Sequence, residues 1–596
     1  MRTPLRPLPR ILEARRQGAN PDLIEGENRA RRREQWREQT RGRASARLGL
    51  LAVAFACAYA VIGVRMGHLA AARPVEPIAS APGVEITAQR ADIVDRHGRL
   101  LATNMSTHAL YAHPQELTDP AGTARALAAI FPEMNAEDLA RRFADGRRFL
   151  WLRKVMSPEQ MQKVHEIGDP GLLFAPREMR LYPNGTLAAH VLGGAGFGTE
   201  GVQSAEVIGV AGIERALDAE LRDPARAGRP LELSLDLSVQ ATVEEVLAAG
   251  IGLMNAKGGA AIVMDVRTGE LVALASAPAF DPNDRPVPLV GKDDEASDSP
   301  LFNRAVQGVY ELGSTFKIFA AAQAMELGLA TPATMIDADA PMTWGKYRIT
   351  EFDGHNYGPL LSLADVIAKS SNVGIAHVAL MIGGERQKAF LAALGFFAPT
   401  PVELVEAQGA RPLVPSRWSE IVTITASYGH GMSASPLHLA AAYAAIANGG
   451  VYLKPTLLRR QAPVSGTRVM SEDVAAKARA MLRGVVTHGT ASFADVPGYE
   501  VAGKTGTADK PKKSGGYYKD KVINTFASMF PASDPRYVLI VTLDEPVDTT
   551  GSKPRRTAGW TAVPVAAEMI RRVAPLLGLR PQVEPVRAVA LTAGAN

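Results

Sequence analysis

The stretch from Leu312 to Phe319 places a serine and a lysine three residues apart where a helix is predicted to begin. Apolar residues recur after Ser314 at about 3.6-residue spacing, and Gly328 is expected to end the helix. Positions three apart share one face of a helix, so the Lys317 amine is expected to reach the Ser314 hydroxyl. A base within hydrogen-bond distance activates a serine, and the free N–H groups of a helix N-terminus stabilise developing negative charge. The pair alone is a weak signal, because the same spacing also occurs on solvated surface helices.

Two further motifs follow along the chain. Ser370-Ser371-Asn372 lies between a predicted helix that ends near Lys369 and another that runs from Val373 to Met381. Lys504-Thr505-Gly506-Thr507 follows a short apolar segment and is predicted to form an extended strand at a sheet edge. Ser-x-x-Lys, Ser-x-Asn and Lys-Thr-Gly in this order resemble the signature set of penicillin-binding proteins and serine β-lactamases. Each motif is common, but all three in order are rarely met by chance.

The charge of the chain is concentrated at its beginning. Between Arg2 and Arg47 there are thirteen arginines, no lysines and six acidic residues, an excess of seven positive charges. The whole chain of 596 residues carries +5, so the remainder is slightly negative. A basic arm of this kind is typical of nucleic-acid binding or of a membrane surface. The segment that follows favours the membrane.

Leu48 to Val64 is a charge-free apolar run of seventeen residues, and Arg65 can extend it by snorkelling. We predict a transmembrane helix over 48–72, with the arginine-rich arm in the cytoplasm and the chain from about Arg73 outside it. A cleaved signal peptide is the alternative, because Ala70-Ala71-Ala72 resembles a cleavage site. The long basic lead favours an uncleaved anchor. Nucleic acid is then not needed to explain the arginines.

An α/β region is predicted from the end of a Pro- and Ala-rich linker, 73–83, to about Arg229. Arg90, Asp95 and Arg96 lie in a stretch that resembles the first conserved box of class B penicillin-binding proteins, with Ala91 where glycine is usual. Arg180 and Glu214 lie in further matching boxes. Their residue types predict ion pairs that hold subdomains together, and His190 is predicted to be a buried interface residue.

The remaining elements predict an α+β fold in which an antiparallel sheet is flanked by helices. Gly259–Asp265 and Leu271–Ala275 are predicted to form a hairpin, joined by strands over Lys521–Phe530 and Arg536–Glu545 and by a final helix over Val563–Leu577. The predicted divisions are a cytoplasmic arm (1–47), a transmembrane helix (48–72), a pedestal domain of the penicillin-binding-protein dimerisation type (73–232), a transpeptidase domain (233–579) and a disordered tail (580–596).

From about Gln89 to Leu579 the chain resembles the FtsI-type, septal class B penicillin-binding proteins, although Leu312 stands where that family has proline. The resemblance implies a membrane-anchored peptidoglycan D,D-transpeptidase that is the target of β-lactams. It also implies the following roles: Ser314 as nucleophile, Lys317 as base, Ser370 as proton relay, Asn372 as ligand of the substrate amide, Lys504, Thr505 and Thr507 as ligands of the substrate carboxylate, Gly506 as a further substrate-binding residue, and the N–H groups of Ser314 and Thr507 as the oxyanion hole.

The same resemblance implies what the protein binds. The substrates would be peptidoglycan stem peptides ending in D-Ala-D-Ala, and the partners a SEDS-type glycan polymerase, FtsW, and other division proteins. The location would be the inner membrane at the septum, with the catalytic domain in the periplasm. No cofactor is implied, and His355 and His430 have no neighbours in the sequence at metal-ligand spacing.

Several alternatives stay open on sequence alone. An elongation-specific class B transpeptidase carries the same motifs. A β-lactamase or D,D-carboxypeptidase would deliver the acyl group to water, although the anchor and the long preceding domain argue against it. A non-catalytic scaffold or β-lactam sensor is expected to have lost a motif residue, and none is lost here. A bifunctional enzyme is rejected, because class B boxes already fill the space where a glycosyltransferase would lie.

Overall fold

Two units make up the chain, Met1–Val84 and Glu85–Asn596. The computed structural model describes residues 6–71, 90–200, 205–226, 228–289, 295–462, 464–512 and 515–582. In the first unit, helix α1 spans Leu8–Arg16 and helix α2 spans Pro21–Ala71. No helix within these ranges is both long enough and apolar enough to cross a membrane. The side chains described in the predicted span are those of 49–63, and the predicted linker, 73–83, lies outside the described residues.

The second unit begins with a region in which short helices alternate with strands. Its elements are β1 (Ile93–Val94), β2 (Leu100–Ala112), α3 (Pro120–Ile130), α4 (Ala136–Ala144), β3 (Leu150–Met156), α5 (Pro158–Ile167), β4 (Leu172–Leu181), α6 (Ala189–Leu192), β5 (Gly194–Glu200), β6 (Ala205–Ala211), α7 (Gly212–Ala216), α8 (Asp218–Leu221) and β7 (Leu231–Glu232). The main sheet has the order β3-β2-β1-β7, and β4 also pairs with β2. The α/β character predicted for this region is therefore observed.

A buried carboxylate joins the two ends of this region. Glu214, on α7, is fully buried and accepts hydrogen bonds from the guanidinium groups of Arg90 and Arg180, each at 2.6 Å. Arg180 is the penultimate residue of β4, while Arg90 precedes β1. Burying a charge is unfavourable unless it is paired and hydrogen-bonded, and both conditions are met here. These three residues form the ion pairs predicted from the sequence.

The turn after β1 connects this region to the next one. Arg96 donates to the buried carboxylate of Glu270 at 2.6 Å, and the Asp95 carboxylate accepts the backbone N–H of Leu237 at 3.0 Å. Glu270 immediately precedes the strand Leu271–Ala277, and Leu237 is the first residue of the helix Leu237–Leu253. Asp95 and Arg96 thus contact elements more than a hundred residues further along the chain.

The elements that follow build the larger part of the unit. They are α9 (Leu237–Leu253), β8 (Gly258–Asp265), β9 (Leu271–Ala277), α10 (Lys317–Glu326), β10 (Met335–Asp337), β11 (Met342–Trp344), β12 (Tyr347–Ile349), β13 (Leu360–Ser362), α11 (Leu363–Lys369), α12 (Asn372–Ile382), α13 (Gly384–Ala393), α14 (Val405–Gly409), α15 (Glu420–Ser427), α16 (Pro436–Ala447), β14 (Val451–Tyr452), β15 (Thr467–Arg468), α17 (Glu472–His488), β16 (Ala502–Pro511), β17 (Tyr517–Phe530), β18 (Tyr537–Asp544) and α18 (Ala562–Leu576).

An antiparallel sheet with the strand order β16-β17-β18-β8-β9 forms the centre of this part. Every residue of β18 is buried, and so is all of β8 except its last residue. Strands with such continuous burial have both faces covered. Helices α9 and α18 pack together and against the sheet, and α16 packs against β8, β17 and β18. The α+β architecture predicted from the sequence is confirmed.

Most predicted elements are found within a few residues of their expected bounds. The hairpin of β8 and β9 and the final helix α18 are confirmed, and β16 is an edge strand as predicted. Strands β10 to β13 have no counterpart among the predicted elements. Each of these has three residues, too few for apolar alternation to identify it in the sequence. In the tail, residues 583–596 lie outside the described residues.

Candidate active site

Ser314 lies in a tight turn that leads into α10. Gly313–Phe316 form a 3-10 helix, and α10 follows directly from Lys317, so the first turn is tighter than the predicted α-helix. Gly313 has a φ of +55°, and a Cβ at this position would lie 2.7 Å from the Thr507 carbonyl oxygen. Glycine is required where backbone with positive φ approaches another chain segment this closely. The turn is thereby held against strand β16, and Ser314 remains partly exposed.

A second glycine supports the same turn from the other side. The Gly313 N–H donates to the Gly429 carbonyl oxygen at 3.3 Å. Gly429 has a φ of +75°, and a Cβ there would overlap the Gly313 carbonyl oxygen. The turn Tyr428-Gly429-His430-Gly431 therefore helps to fix the position of Ser314, and His430 contributes to the wall of the adjacent cleft.

The Ser-Ser-Asn motif turns the chain from α11 into α12. Ser370 has the left-handed conformation, with φ +65° and ψ +41°, which ends α11. Ser371 then caps α12, since its hydroxyl oxygen accepts the Gly374 N–H at 2.9 Å. Asn372 is the first helical residue of α12. The sequence prediction of two helices separated by this motif is confirmed.

Lys317 is fully buried and points at this turn. Its Nζ donates to the Ser370 carbonyl oxygen at 2.5 Å, to the Ser370 hydroxyl at 3.0 Å and to the Asn372 Oδ1 at 2.7 Å. In the part of the chain that the structure describes, Lys317 does not form the hydrogen bond to Ser314 that the sequence spacing predicts, because its N–H groups donate to these three acceptors instead. Burial lowers the pKa of Lys317 from its ordinary value of 10.5 to about 7, against the opposing field of the Glu351 carboxylate. A lysine with this pKa is partly neutral near pH 7 and can accept a proton.

The third motif lies on edge strand β16. Lys504 is fully buried and donates to the Thr505 carbonyl oxygen at 3.2 Å. Burial, and after it the positive charge of Lys317, lowers the pKa of Lys504 well below its ordinary value. The Thr505 hydroxyl lies 2.7 Å from that of Thr490, and the Thr507 hydroxyl accepts the Ala558 N–H at 3.0 Å. Both threonine hydroxyls therefore have fixed positions.

One cleft of about 600 Å³ brings the three motifs together. Five of the eight predicted catalytic and substrate-binding residues line it: Ser314, Ser370, Asn372, Thr505 and Thr507. Lys317 and Lys504 are buried behind this surface, and Gly506 faces the Leu312 carbonyl oxygen, where any side chain would overlap it. In the part of the chain that the structure describes, no group of three or more His, Cys, Asp or Glu residues could hold a metal ion.

Other cleft residues have no counterpart among the sequence predictions. Glu351 is a buried carboxylate in the loop between β12 and β13, and Thr490 follows α17. Phe493 and Trp560 form an aromatic pair at the rim, with ring centroids 5.1 Å apart. A lone glutamate or threonine in a loop carries no pattern in the sequence. The run Thr557-Ala558-Gly559-Trp560, with its glycine and tryptophan, is the one signal that could have been noticed.

Two family models match the chain. The model described as the penicillin binding protein transpeptidase domain matches residues 259–566, and that described as the penicillin-binding protein dimerisation domain matches residues 85–226. The first match contains all eight residues of the three motifs, and the second contains Arg90, Arg180 and Glu214.

Named relatives cover most of the chain. It is 38% identical over 519 residues to the probable peptidoglycan D,D-transpeptidase FtsI of Caulobacter vibrioides, covering 85% of this chain and 84% of the relative. It is 30% identical over 489 residues to the peptidoglycan D,D-transpeptidase FtsI of Escherichia coli, covering 78% and 80%. Crystal structures of penicillin binding protein 3 from Mycobacterium tuberculosis, 27% identical, cover 84% of this chain and 98% of theirs, with TM-scores of 0.62 in the apo form and 0.63 in complex with ampicillin.

Proposed function

The chain belongs to the FtsI-type class B penicillin-binding proteins, and from that membership we propose that it is a peptidoglycan D,D-transpeptidase acting through a Ser314 acyl-enzyme. The observation that carries the proposal is the cleft in which Ser314, the Ser370–Asn372 turn and the Thr505–Thr507 strand meet, with two lysines buried behind them. A serine beside a lysine of lowered pKa and a strand of hydroxyl groups is suited to acyl transfer from a substrate with a terminal carboxylate.

In the first half of the reaction, Ser314 takes the acyl group of the donor stem peptide. Its Oγ attacks the carbonyl carbon of the penultimate D-alanine, and its proton passes to the neutral amine of Lys317. The new C–O bond replaces the C–N bond to the terminal D-alanine, which leaves as an amine after it receives a proton through the Ser370 hydroxyl. The 3.0 Å contact between Lys317 Nζ and Ser370 Oγ supports this relay.

In the second half, the amine of another stem peptide attacks the acyl-enzyme. A C–N bond forms as the amine gives up a proton, through the Ser370 hydroxyl, to the neutral Lys317, and the bond to Ser314 Oγ breaks as Lys317 returns that proton to the serine. The N–H groups of Ser314 and Thr507 hold the negative oxygen of both tetrahedral intermediates. The tight approach of Gly313 to Thr507 supports this pairing, because it brings the two backbone segments side by side.

The substrate carboxylate is expected at strand β16. The Thr505 and Thr507 hydroxyls line the cleft there, and Lys504 lies behind them. Because β16 is an edge strand, its free backbone groups can also pair with an extended peptide. A β-lactam, which resembles D-Ala-D-Ala, would occupy the same place and acylate Ser314.

We propose the septal role from the names of the relatives, and the partners from the family resemblance. Proteins named FtsI and the stage V sporulation protein D of Bacillus subtilis, 28% identical over 531 residues, support work at a septum in preference to the lateral wall. In that setting, the region 73–232 would contact an FtsW-type glycan polymerase and other division proteins. The ion pairs of Arg90, Arg180 and Glu214 would keep it rigid enough to do so.

We also propose that the chain is anchored in the inner membrane by residues 48–72. The apolar run Leu48–Val64 and the arginines before it support a single crossing with the N-terminus in the cytoplasm. The further divisions would be 1–47, 73–232, 233–579 and 580–596. The unit boundary at Val84 and the two family matches support placing the extracytoplasmic domains after the apolar run.

Covalent labelling with a fluorescent penicillin tests the proposal. Wild-type protein should be labelled, and folded Ser314→Ala should not. Absence of label in both proteins, with wild type folded, would instead favour a scaffold or sensor. Label that forms and then decays within minutes would favour a β-lactamase or carboxypeptidase, because water would then be the acceptor.

A further inference from the structure

Glu351 is a buried carboxylate that, like Lys317, is hydrogen-bonded to the Ser-Ser-Asn turn. Its Oε1 accepts the Ser371 hydroxyl at 2.6 Å and the Val373 N–H at 3.2 Å, and its Oε2 accepts the Asn372 N–H at 2.7 Å. Its relative exposure is 3%, yet it forms part of the cleft wall. The loop that carries it makes one further bond, from Asn372 Nδ2 to the Thr350 carbonyl oxygen at 2.9 Å.

Capping of α12 accounts for part of this arrangement, because Glu351 accepts the N–H groups of the first two residues of that helix, Asn372 and Val373. Ser371 already supplies the side-chain cap of that helix through Gly374 N–H. One of the residues that Glu351 holds, Asn372, is also a residue that receives Lys317. The Asn372 Oδ1 accepts a hydrogen bond from Lys317, and the Asn372 backbone N–H donates to Glu351. One residue therefore connects the two charged side chains.

The charged groups around Lys317 come from few elements. Glu351 acts from the loop after β12, and Lys504 acts from β16. The α11–α12 turn contributes the neutral groups of Ser370 and Asn372, and on α16 the hydroxyl of Tyr443 is bonded to the Thr315 carbonyl oxygen. Tyr357, beyond Glu351, is neutral near pH 7, since burial and the Glu351 charge raise its pKa. Among the residues that the structure describes, Glu351 is therefore the acidic group that favours a proton on Lys317, against the effect of burial.

We infer that Glu351 is a positioning residue of the acylation step, which holds the Ser370–Asn372 turn against Lys317 and supplies the negative charge against which Lys317 exchanges its proton. The inference rests on the proposed function, because it requires Lys317 to accept the Ser314 proton. Glu351 does not itself touch the reacting atoms.

The test is the rate of acylation by a fluorescent penicillin between pH 5.5 and 8.5, measured on the full chain. Glu351→Gln removes the charge, so Lys317 loses its proton more readily and the midpoint of the acidic limb should fall by about one pH unit. The plateau rate should also fall about tenfold, because the amide cannot accept all three hydrogen bonds. Glu385→Gln is the matched control. It removes an exposed glutamate from the first turn of α13, and its profile should equal that of wild type.

Glu351→Asp separates the effect of the negative charge from the effect of the side-chain length. It keeps the negative charge but shortens the side chain, so the midpoint should stay within about 0.3 pH unit of wild type while the plateau falls at least about fivefold. A Glu351→Gln midpoint equal to that of wild type would overturn the inference. If Glu351→Gln does not fold, an unchanged plateau in folded Glu351→Asp would overturn it equally, and the expected loss would support it. Labelling of wild type and Glu385→Gln, but not of Ser314→Ala, would support the proposed function whichever result the Glu351 variants give.

Discussion

His190 should make the protein sensitive to acid, because it is buried in its neutral form between two parts of the second unit. It lies on α6, and its Nε2 donates to the Pro278 carbonyl oxygen at 3.1 Å, beyond β9. Its ring packs edge-on against Phe280 at 5.2 Å. Burial, together with the nearby charges of Arg304 and Arg285, lowers the pKa of His190 from 6.5 to about 4.

The size of the effect follows from that difference. The pKa in the folded chain is below that in the unfolded chain, so the unfolded chain binds the proton more tightly. The contribution of His190 to the free energy of unfolding is therefore fully present above pH 6.5 and is lost as the pH falls through about 4. Integrated from pH 7 to pH 4, the loss is about 3 kcal/mol.

Urea titration of the full chain at pH 7, 6, 5 and 4 measures this loss. His190→Gln keeps an N–H donor but cannot take up a proton, so its unfolding free energy should not carry the His190 contribution. The difference between wild type and His190→Gln should therefore move by about 3 kcal/mol in favour of the variant between pH 7 and pH 4. His165→Gln, which replaces an exposed histidine on α5, is the control and should follow wild type.

A parallel pH dependence of wild type and His190→Gln would refute the reasoning. It would mean that the folded chain accommodates the charged imidazole, through water or a shift of α6, and that burial between the two regions does not exclude its proton. A movement of the same size in His165→Gln would refute it as well, since the effect would then come from histidines in general.

Three further results are expected. First, the rate of acylation of wild type by penicillin should rise with pH through about 7 and then level off, because Lys317 must be neutral to accept a proton; stopped-flow fluorescence from pH 5.5 to 8.5 would reveal it. Second, Gly429→Ala should lower that rate about a hundredfold by displacing Gly313, whereas Gly328→Ala, which has a similar φ of +68° but no atom within 4 Å of its Cβ, should lose stability alone. Third, Glu214→Gln should lower the free energy of unfolding by about 3–5 kcal/mol in denaturant titrations, because it removes the buried charge that Arg90 and Arg180 share and leaves Arg180 without a carboxylate partner among the described residues. Acylation of the folded fraction should persist.

Much of the fold could be predicted because its central elements carry strong local patterns. The continuous apolar residues of β8 and β18, the turn between β8 and β9, and the proline and glycine residues that bound α16 are readable one element at a time. The three-residue strands β10 to β13 escaped prediction for the converse reason, since their pairing is decided by contacts and not by a repeating pattern.

The site was predictable in its residues more than in its contacts. The order of the three motifs identified Ser314, Lys317, Ser370 and the β16 strand, and all of them meet at one cleft. The spacing rule on which the Ser314–Lys317 contact was predicted uses only neighbours in a helix. The Lys317 amine instead donates to Ser370 and Asn372, which lie more than fifty residues away in the sequence. Glu351 shows the same limit, because nothing near it in the sequence marks it as the partner of the Ser371 hydroxyl.

The charges of the cleft also indicate how substrate binding would prepare the base. Lys317 and Lys504 are both fully buried, and each positive charge opposes the other. A substrate carboxylate at Thr505 and Thr507 would favour a proton on Lys504, and the ammonium formed there would in turn disfavour one on Lys317. Lys317 would then be neutral at the moment when Ser314 must give up its proton. A ligand without a carboxylate would leave Lys504 neutral and the base less prepared, so we expect the terminal carboxylate to increase the acylation rate as well as the affinity.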